Sequence, residues 1–439
     1  MRDNHHRPPD PANRAMSTMH FHIRMTGLFL LVLMIGVAGG LVVGREAFGG
    51  QAAADSSFPD LDAVTEVITG NYYYRPTDAE QQGQFVDALE EQAIAGMLMS
   101  LNDDYTQYLL PADAEVAADQ LQGEYGGIGV TLQTIDGALT VGRVGPDTPA
   151  SRAGIAAGDI VIRIDNRPVS SIAGELNGID LRGPVGSSVV MTLLRPGSDA
   201  STNVSIEREA IIVHPVAWEM VPGTSYMRIR IDIFGDRTTQ EVDQALAEAD
   251  AGGASGIVLD LRGNGGGWVT SAQETIGRFV SADMGPALFE DSIPGRGGQS
   301  ALPIINGEQP PSDLPLIVLV DGETASAAEI VAGSLRDYDR ALVIGQQTFG
   351  KGSVQRIFDF EDGASLRVTV AEWFTPSKGR IQDEGIRPDV VLAPGESGAL
   401  PGDPFVAAAT SFLDSGTSKP TDLAQADEPS SVPASTPAP

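Results

Sequence analysis

Residues Met25 to Gly44 form an unbroken run without a charged side chain, composed mostly of Leu, Val, Met, Ile, Gly and Ala. At about 1.5 Å per residue such a helix reaches about 30 Å, the thickness of a bilayer's hydrocarbon core. The run predicts a transmembrane anchor at 25–44, which splits the chain into a cytoplasmic tail at 1–24 and everything beyond Arg45. Arg2, Arg7, Arg14 and Arg24 precede it against Asp3 and Asp10. Arginine-rich flanks stay in the cytoplasm, so the rest of the chain is expected on the extracytoplasmic, periplasmic side of a single-pass cell-membrane protein. The competing reading is a signal peptide cleaved near Ala52-Ala53-Ala54, giving a secreted product. The long leader before the apolar run favours the anchor.

Acidic side chains outnumber basic ones 59 to 28, for a formal charge of −31. A surface that negative repels phosphate backbones, which excludes nucleic acid as a partner. The chain has no cysteine, so disulfides, thiolate metal sites and cysteine nucleophiles are all ruled out. Of five histidines, His5, His6, His20 and His22 precede the apolar run and only His214 follows it. No metal and no cofactor is expected, and a Ser-His-Asp triad would hang on His214 alone. That residue, next to Pro215, is read as structural. Lysine is confined to Lys351, Lys378 and Lys419.

After a Gly/Ala/Ser linker at 45–57, residues 58–121 carry apolar positions at helical spacing, among them Phe85, Leu89, Ile94, Met97 and Leu101. This segment reads as a packing module with no chemistry of its own. Between 122 and 212 the texture changes to short alternating strands with glycine turns. From 213 to 400 strands and helices alternate, the signature of an α/β layered domain. Residues 401–439 form an apolar stretch followed by a Pro/Ser/Ala-rich tail, expected to be disordered from Asp414 onward.

Three segments of the α/β region invite a chemical reading. The apolar strand Gly256–Leu261 enters the loop Arg262-Gly263-Asn264-Gly265-Gly266-Gly267. It lacks the Gly-Lys-Ser/Thr ending of a phosphate cradle and the GxGxxG spacing of a dinucleotide site. What remains is a set of bare backbone N–H groups, suited either to a tight turn or to an oxyanion hole. A second buried strand runs through Asp321-Gly322-Glu323-Thr324-Ala325 into a helix and places Ser326 at its first turn. There the helix end favours developing negative charge, although a plain N-cap serine would look the same. In the third, Lys351 lies between Gly350 and Gly352 in a chain that almost avoids lysine. A buried lysine can shed its proton where arginine cannot. Service as a base near neutrality needs its pKa lowered by roughly 3 units, costing about 4 kcal/mol. The two-residue strand period puts Lys351, Ser353 and Gln355 on one face, so Gln355 could orient the amine. A surface lysine on a loop is the alternative.

The run Pro149-Ala150-Ser151-Arg152-Ala153-Gly154-Ile155 with Gly158-Asp159 resembles the inter-strand segment of PDZ domains. By that resemblance Gly127, Ile128 and Gly129 lie in the loop that binds a peptide's terminal carboxylate beside a strand edge. Together with Val258-Leu259-Asp260-Leu261-Arg262-Gly263-Asn264, Thr324-Ala325-Ser326-Ala327-Ala328-Glu329 and Phe349-Gly350-Lys351-Gly352-Ser353-Val354-Gln355, the chain resembles the C-terminal processing peptidases, or tail-specific proteases. The segment Leu101-Asn102-Asp103-Asp104-Tyr105-Thr106-Gln107-Tyr108-Leu109 looks like that family's too. The likeness covers roughly Leu61 to Leu392.

The resemblance implies an α+β and α/β multidomain protein: a transmembrane helix, a helical segment, a PDZ β-domain, and a catalytic core of the kind found in crotonases and Clp proteases. It implies Ser326 as nucleophile, Lys351 as general base and Gln355 as the residue holding the lysine. The oxyanion hole would use Ala327 with a loop glycine, Gly266 or Gly267. Thr324 and Ala328 stand where serine is frequent in the family, and Glu329, Asp337 and Asp260 are read as solvated or structural carboxylates. The expected partners are protein or peptide substrates with free C-termini, and a homo-oligomer or an adaptor protein is compatible with the chain. Two rivals remain: a non-catalytic ligand-binding relative of the same core, and an acyl-CoA enzyme of the crotonase type.

Overall fold

The computed structural model describes residues 59–135, 137–169, 181–198, 200–292, 298–306, 311–392 and 403–426. Among these no helix is long and apolar enough to cross a membrane, and the expected anchor at 25–44 lies outside them. The described chain opens with two helices, α1 (Pro59–Asn71) and α2 (Ala79–Met99). Asp78 caps α2 by accepting the N–H groups of Glu80 and Gln81. The short strand β1 (Gln107–Leu109) and helix α3 (Pro111–Gln122) follow, the helix stopping at Gly123, whose φ of 73° few other residues adopt.

The β-domain is joined to the core by a two-stranded ribbon, β2 (Glu124–Gly127) antiparallel to β9 (Glu209–Ile212). Between them lie β3 (Val130–Ile135), β4 (Ala138–Val144), α4 (Pro149–Arg152), β5 (Ile160–Ile164), β6 (Arg167–Pro168), β7 (Ser188–Leu194) and β8 (Ser201–Glu207). The sheet runs β3-β4-β5-β7-β8 around a core that includes Ile128, Val141, Ala150, Val189 and Met191. Asp165 and Asn166 both take positive φ at the turn between β5 and β6, as the sequence suggests.

The α/β core is built on a six-stranded sheet in the order β10-β11-β12-β15-β16-β19. Its strands are β10 (Val216–Met220), β11 (Tyr226–Ile231), β12 (Gly256–Asp260), β15 (Leu316–Val320), β16 (Leu342–Gly345) and β19 (Val390–Val391), all parallel to their neighbours except β10. On one face Ile257, Leu259, Val318, Val320 and Val343 join a cluster with residues of helices α5 (Thr238–Ala251), α6 (Val269–Gly277) and α7 (Ala327–Asp337). On the other, Val258, Ile317, Leu319, Leu342 and Ile344 meet Val406, Ala409 and Leu413 of α8 (Pro404–Asp414). Burial on both faces explains why these strands read as continuous apolar runs.

At the end of β12, the fully buried Asp260 is bonded by Arg228 (2.7 Å) and Arg262 (2.7 Å), and Arg262 reaches on to Asp403 at the start of α8 (2.5 Å). Burial raises the Asp260 carboxyl, but the two arginines outweigh it and hold it below the usual range.

A second, antiparallel sheet packs beside the first. It comprises β1, β18 (Ser365–Phe374), β13 (Pro286–Ser292), β14 (Gln299–Pro303) and β17 (Ser353–Asp359), with β17 paired to β18. Two expectations are corrected here. The N-terminal segment is not merely a helical module, because β1 pairs with β18, Gln107 opposite Arg367. The tail is ordered over its first part: after α8 comes α9 (Pro420–Ala426), fastened by Thr421, which donates to Asp339 (2.6 Å), and by the Ser418 carbonyl, which accepts from Leu342 (2.7 Å). Residues 427–439 lie outside the described residues.

Candidate active site

Ser326 sits where β15 has passed through its loop and α7 is about to begin. Its backbone takes φ 55° and ψ −120°, a conformation that costs on the order of 1–3 kcal/mol for a non-glycine residue. The surroundings over-determine it. Thr324 is fully buried and donates to the Leu261 carbonyl (3.0 Å), while the Asp321 N–H donates to Thr324 Oγ1 (2.9 Å). The Ala325 N–H bonds the Asn264 carbonyl (2.9 Å), and the Phe349 N–H bonds the Thr324 carbonyl (2.9 Å). Threonine at 324 is thus a working structural pin.

The glycine loop is set by Asn264, also fully buried. Its amide donates to the Ile231 carbonyl (2.9 Å), and its Oδ1 accepts the Gly266 N–H (2.8 Å). Gly266 therefore serves through its missing side chain: at φ 116°, a Cβ there would lie 2.7 Å from Ser326 Cβ and 3.1 Å from the Ala327 nitrogen. Its N–H is already spent, which corrects the expectation that it points at an oxyanion. Gly267, at φ 133°, would drive a Cβ to 2.2 Å from the Phe234 carbonyl oxygen. The Ala327 N–H is the first of α7 and has no carbonyl one turn behind it.

Glu329 organises the whole site, and no chemical role had been read for it in the sequence. Its carboxylate is fully buried and accepts four donors: the Ser326 N–H (2.8 Å), the Lys351 N–H (2.9 Å), the Gly350 N–H (2.8 Å) and the Thr348 hydroxyl (2.5 Å). Ser326 and Lys351 donate to the same oxygen, so their backbones lie side by side. Burial pushes the Glu329 carboxyl above its ordinary range, against the pull of the four donors. With every oxygen facing a donor, the group is an acceptor only, a carboxylate. The sequence signal was the Ser-x-x-Glu spacing of a capping box.

Lys351 is 6% exposed. Burial, and then the positive charge of Arg367, lower its pKa to about 7, against the pull of Asp103 and Glu329. Its Nζ lies 5.2 Å from the centre of the Tyr105 ring. Tyr105 and Asp103 come from the N-terminal segment, so that segment reaches the surroundings of Lys351. Gln355 is buried and donates to Ser353 Oγ (2.8 Å) and Thr369 Oγ1 (3.3 Å). Neither Ser326 Oγ nor Gln355 Oε1 has a hydrogen-bond partner among the described residues.

Asp337 donates nothing to this site; it accepts from Ser377 (2.6 Å). His214 lies against buried Glu241 (2.8 Å) at the foot of the β2–β9 ribbon, a structural position. In the β-domain, a cavity of about 190 Å³ is lined by Tyr125, Ile128, Gly129, Leu132, Leu181 and Arg182. Gly127 instead sits on the ribbon opposite Glu209. No group of three or more His, Cys, Asp or Glu that could hold a metal occurs among the described residues.

Fold and site together define a serine hydrolase that carries a peptide-binding β-domain. The PDZ domain model matches residues 126–206 and the peptidase family S41 model matches 225–392. The chain is 34% identical over 376 residues to the carboxy-terminal-processing protease of Bartonella bacilliformis, covering 84% of this chain and 81% of that one. It is 31% identical over 374 residues to the carboxy-terminal processing protease CtpA of Bacillus subtilis, covering 84% and 77%. Among solved structures, the photosystem II D1 C-terminal processing protease aligns over 83% of this chain and 98% of its own, with 26% identity and a TM-score of 0.43. The chain belongs to the C-terminal processing serine peptidases of family S41. Membership of a peptidase family displaces the ligand-carrier and acyl-CoA readings.

Proposed function

We propose that this peptidase is anchored in the cell membrane by 25–44 with its catalytic part outside the cytoplasm, captures the free C-terminus of a protein through its PDZ domain, and cleaves the chain by a Ser-Lys acyl-enzyme mechanism. One observation carries the mechanism: a buried lysine with a pKa of about 7 and a serine held at positive φ are clamped by their backbones to one carboxylate. A serine hydroxyl needs an adjacent base, and cysteine is absent from the chain. Catalysis requires the Lys351 side chain to close on Ser326 Oγ, which has no other hydrogen-bond partner to give up among the described residues. Such bonds often tighten only when substrate binds.

Lys351 then takes the hydroxyl proton as Ser326 Oγ attacks the scissile carbonyl. The carbonyl oxygen, now negative, accepts from the Ala327 N–H and from a second glycine-loop N–H, for which Gly267 is the candidate. Lys351 returns the proton to the departing amine, and a water deprotonated by the same lysine releases the acyl group. In the PDZ domain, the edge of β3 and the cavity beside Ile128 and Gly129 suit an extended peptide terminus. Gln355 steadies the lysine once its Oε1 finds the amine.

The full-length protein, incubated with a model polypeptide, is expected to cleave it, and Ser326→Ala and Lys351→Ala are each expected to abolish cleavage. A fluorophosphonate probe should label Ser326 in the wild type. Full activity in either variant would remove the assignment.

A further inference from the structure

Arg367 lies near the start of β18, is 4% exposed, and has no hydrogen-bond partner at Nε or Nη1. This is unusual for a buried guanidinium, which normally sits in an ion pair; Arg228 and Arg262 in this same molecule are held by Asp260. Its strand brings it beside the residues bonded around Gln355. Thr369, two residues on and so on the same strand face, pairs with Gln355 and accepts its amide (3.3 Å). On the other side β1 runs antiparallel, with Gln107 opposite Arg367 and Thr106 Oγ1 accepting the Thr369 N–H (3.1 Å). The next residue back, Tyr105, carries the ring that covers Lys351 Nζ.

The carboxylates that face this floor are committed elsewhere. Asp103 accepts the Thr106 hydroxyl (2.6 Å) and the Tyr105 N–H (3.0 Å), Glu329 holds its four donors, and Asp359, at the far end of β17, is exposed. Tyr105 itself faces the lysine as a neutral phenol, burial pushing its ionisation up.

We propose that Arg367 is a positioning residue acting through Lys351: a fixed, buried, unpaired positive charge that keeps the neighbouring amine free of its proton. Arginine suits this role because it stays charged where a lysine would not; even here burial lowers it only to about 10. The inference rests on Lys351 being the base.

The test is the pH profile of kcat/KM for the full-length protein. Replacing Arg367 by methionine keeps the volume and removes the charge. The acidic limb of Arg367→Met should move upward by about one pH unit, with the rate on the alkaline plateau within about threefold of wild type. A rate lowered by one factor at every pH, with the limb unmoved, would mean a merely structural residue and would overturn the proposal. So would an unchanged profile. Should Arg367→Met fail to fold, Arg367→Gln removes the charge while keeping a polar head, and the limb should again move upward; an unmoved limb there would overturn the proposal equally. A fully active Lys351→Ala would fail the Ser-Lys reading itself, an outcome distinct from an unshifted limb in a lysine-dependent enzyme.

Discussion

Replacing Glu329 by glutamine changes one atom type in the most heavily used side chain of the site. The amide keeps a single acceptor oxygen and must turn its NH2 towards two donors. If it faces Ser326 and Lys351, both N–H groups lose their acceptor. If it faces Thr348 and Gly350, the hydroxyl can rotate and accept, but the Gly350 N–H cannot. At least one buried N–H is orphaned, at about 1–3 kcal/mol, and the remaining bonds drop from charge-assisted to neutral strength. A neutral amide is easier to bury, which offsets part of the loss, for a net destabilisation of about 2–4 kcal/mol. Domains of this size hold roughly 5–15 kcal/mol, so the variant should remain folded. The catalytic effect is larger. Freed from their shared acceptor, the backbones of Ser326 and Lys351 drift apart, and a displacement of about 1 Å costs on the order of 100-fold in rate. All three tryptophans, Trp218, Trp268 and Trp373, lie in the peptidase core, so urea unfolding followed by their fluorescence reports this domain. Glu329→Gln with wild-type urea stability and kcat/KM within threefold of wild type would refute the clamp.

With Lys351 near 7, kcat/KM should climb with pH below about 7 and level off above it, because the neutral amine is the active form. The same depression, from a lysine's ordinary 10.5, means the unfolded chain binds one more proton between pH 7 and 10.5, so this residue makes core stability rise with pH across that window. Comparing urea midpoints of wild type and Lys351→Met at pH 7 and 10 checks the sign, and a rise unaltered by the substitution would contradict it. Gly266→Ala would place a methyl group 2.7 Å from Ser326 Cβ at an unfavourable φ. It should cost about 1–3 kcal/mol and cut fluorophosphonate labelling of Ser326 at least 100-fold; labelling at the wild-type rate would show that the glycine loop does not abut the nucleophile.

Much of the architecture was written in local patterns. Leu316–Val320 was readable as a buried strand because it is apolar on both faces, and Asp165-Asn166 as a turn because those residues tolerate positive φ. Strands β13 and β14 carry no clear apolar run: exposed residues such as Asp291 and Gln299, opposite one another, dilute the apolar signal of a half-covered sheet. Helix α9 hid in a Pro/Ser-rich stretch whose order comes from Asp339, far away in sequence.

The chain by itself determined which chemistry was affordable. Without cysteine, and with a single histidine beyond the apolar run, it left few bases for a serine nucleophile, and the proposed pair Ser326 and Lys351 stands in short, specific motifs. Only the tertiary structure decided how that lysine loses its proton. Burial among Tyr105, Glu329 and Arg367, which come from three separate segments, and the charge of Arg367 act against the pull of Asp103 and Glu329, through space over distances that sequence spacing does not encode.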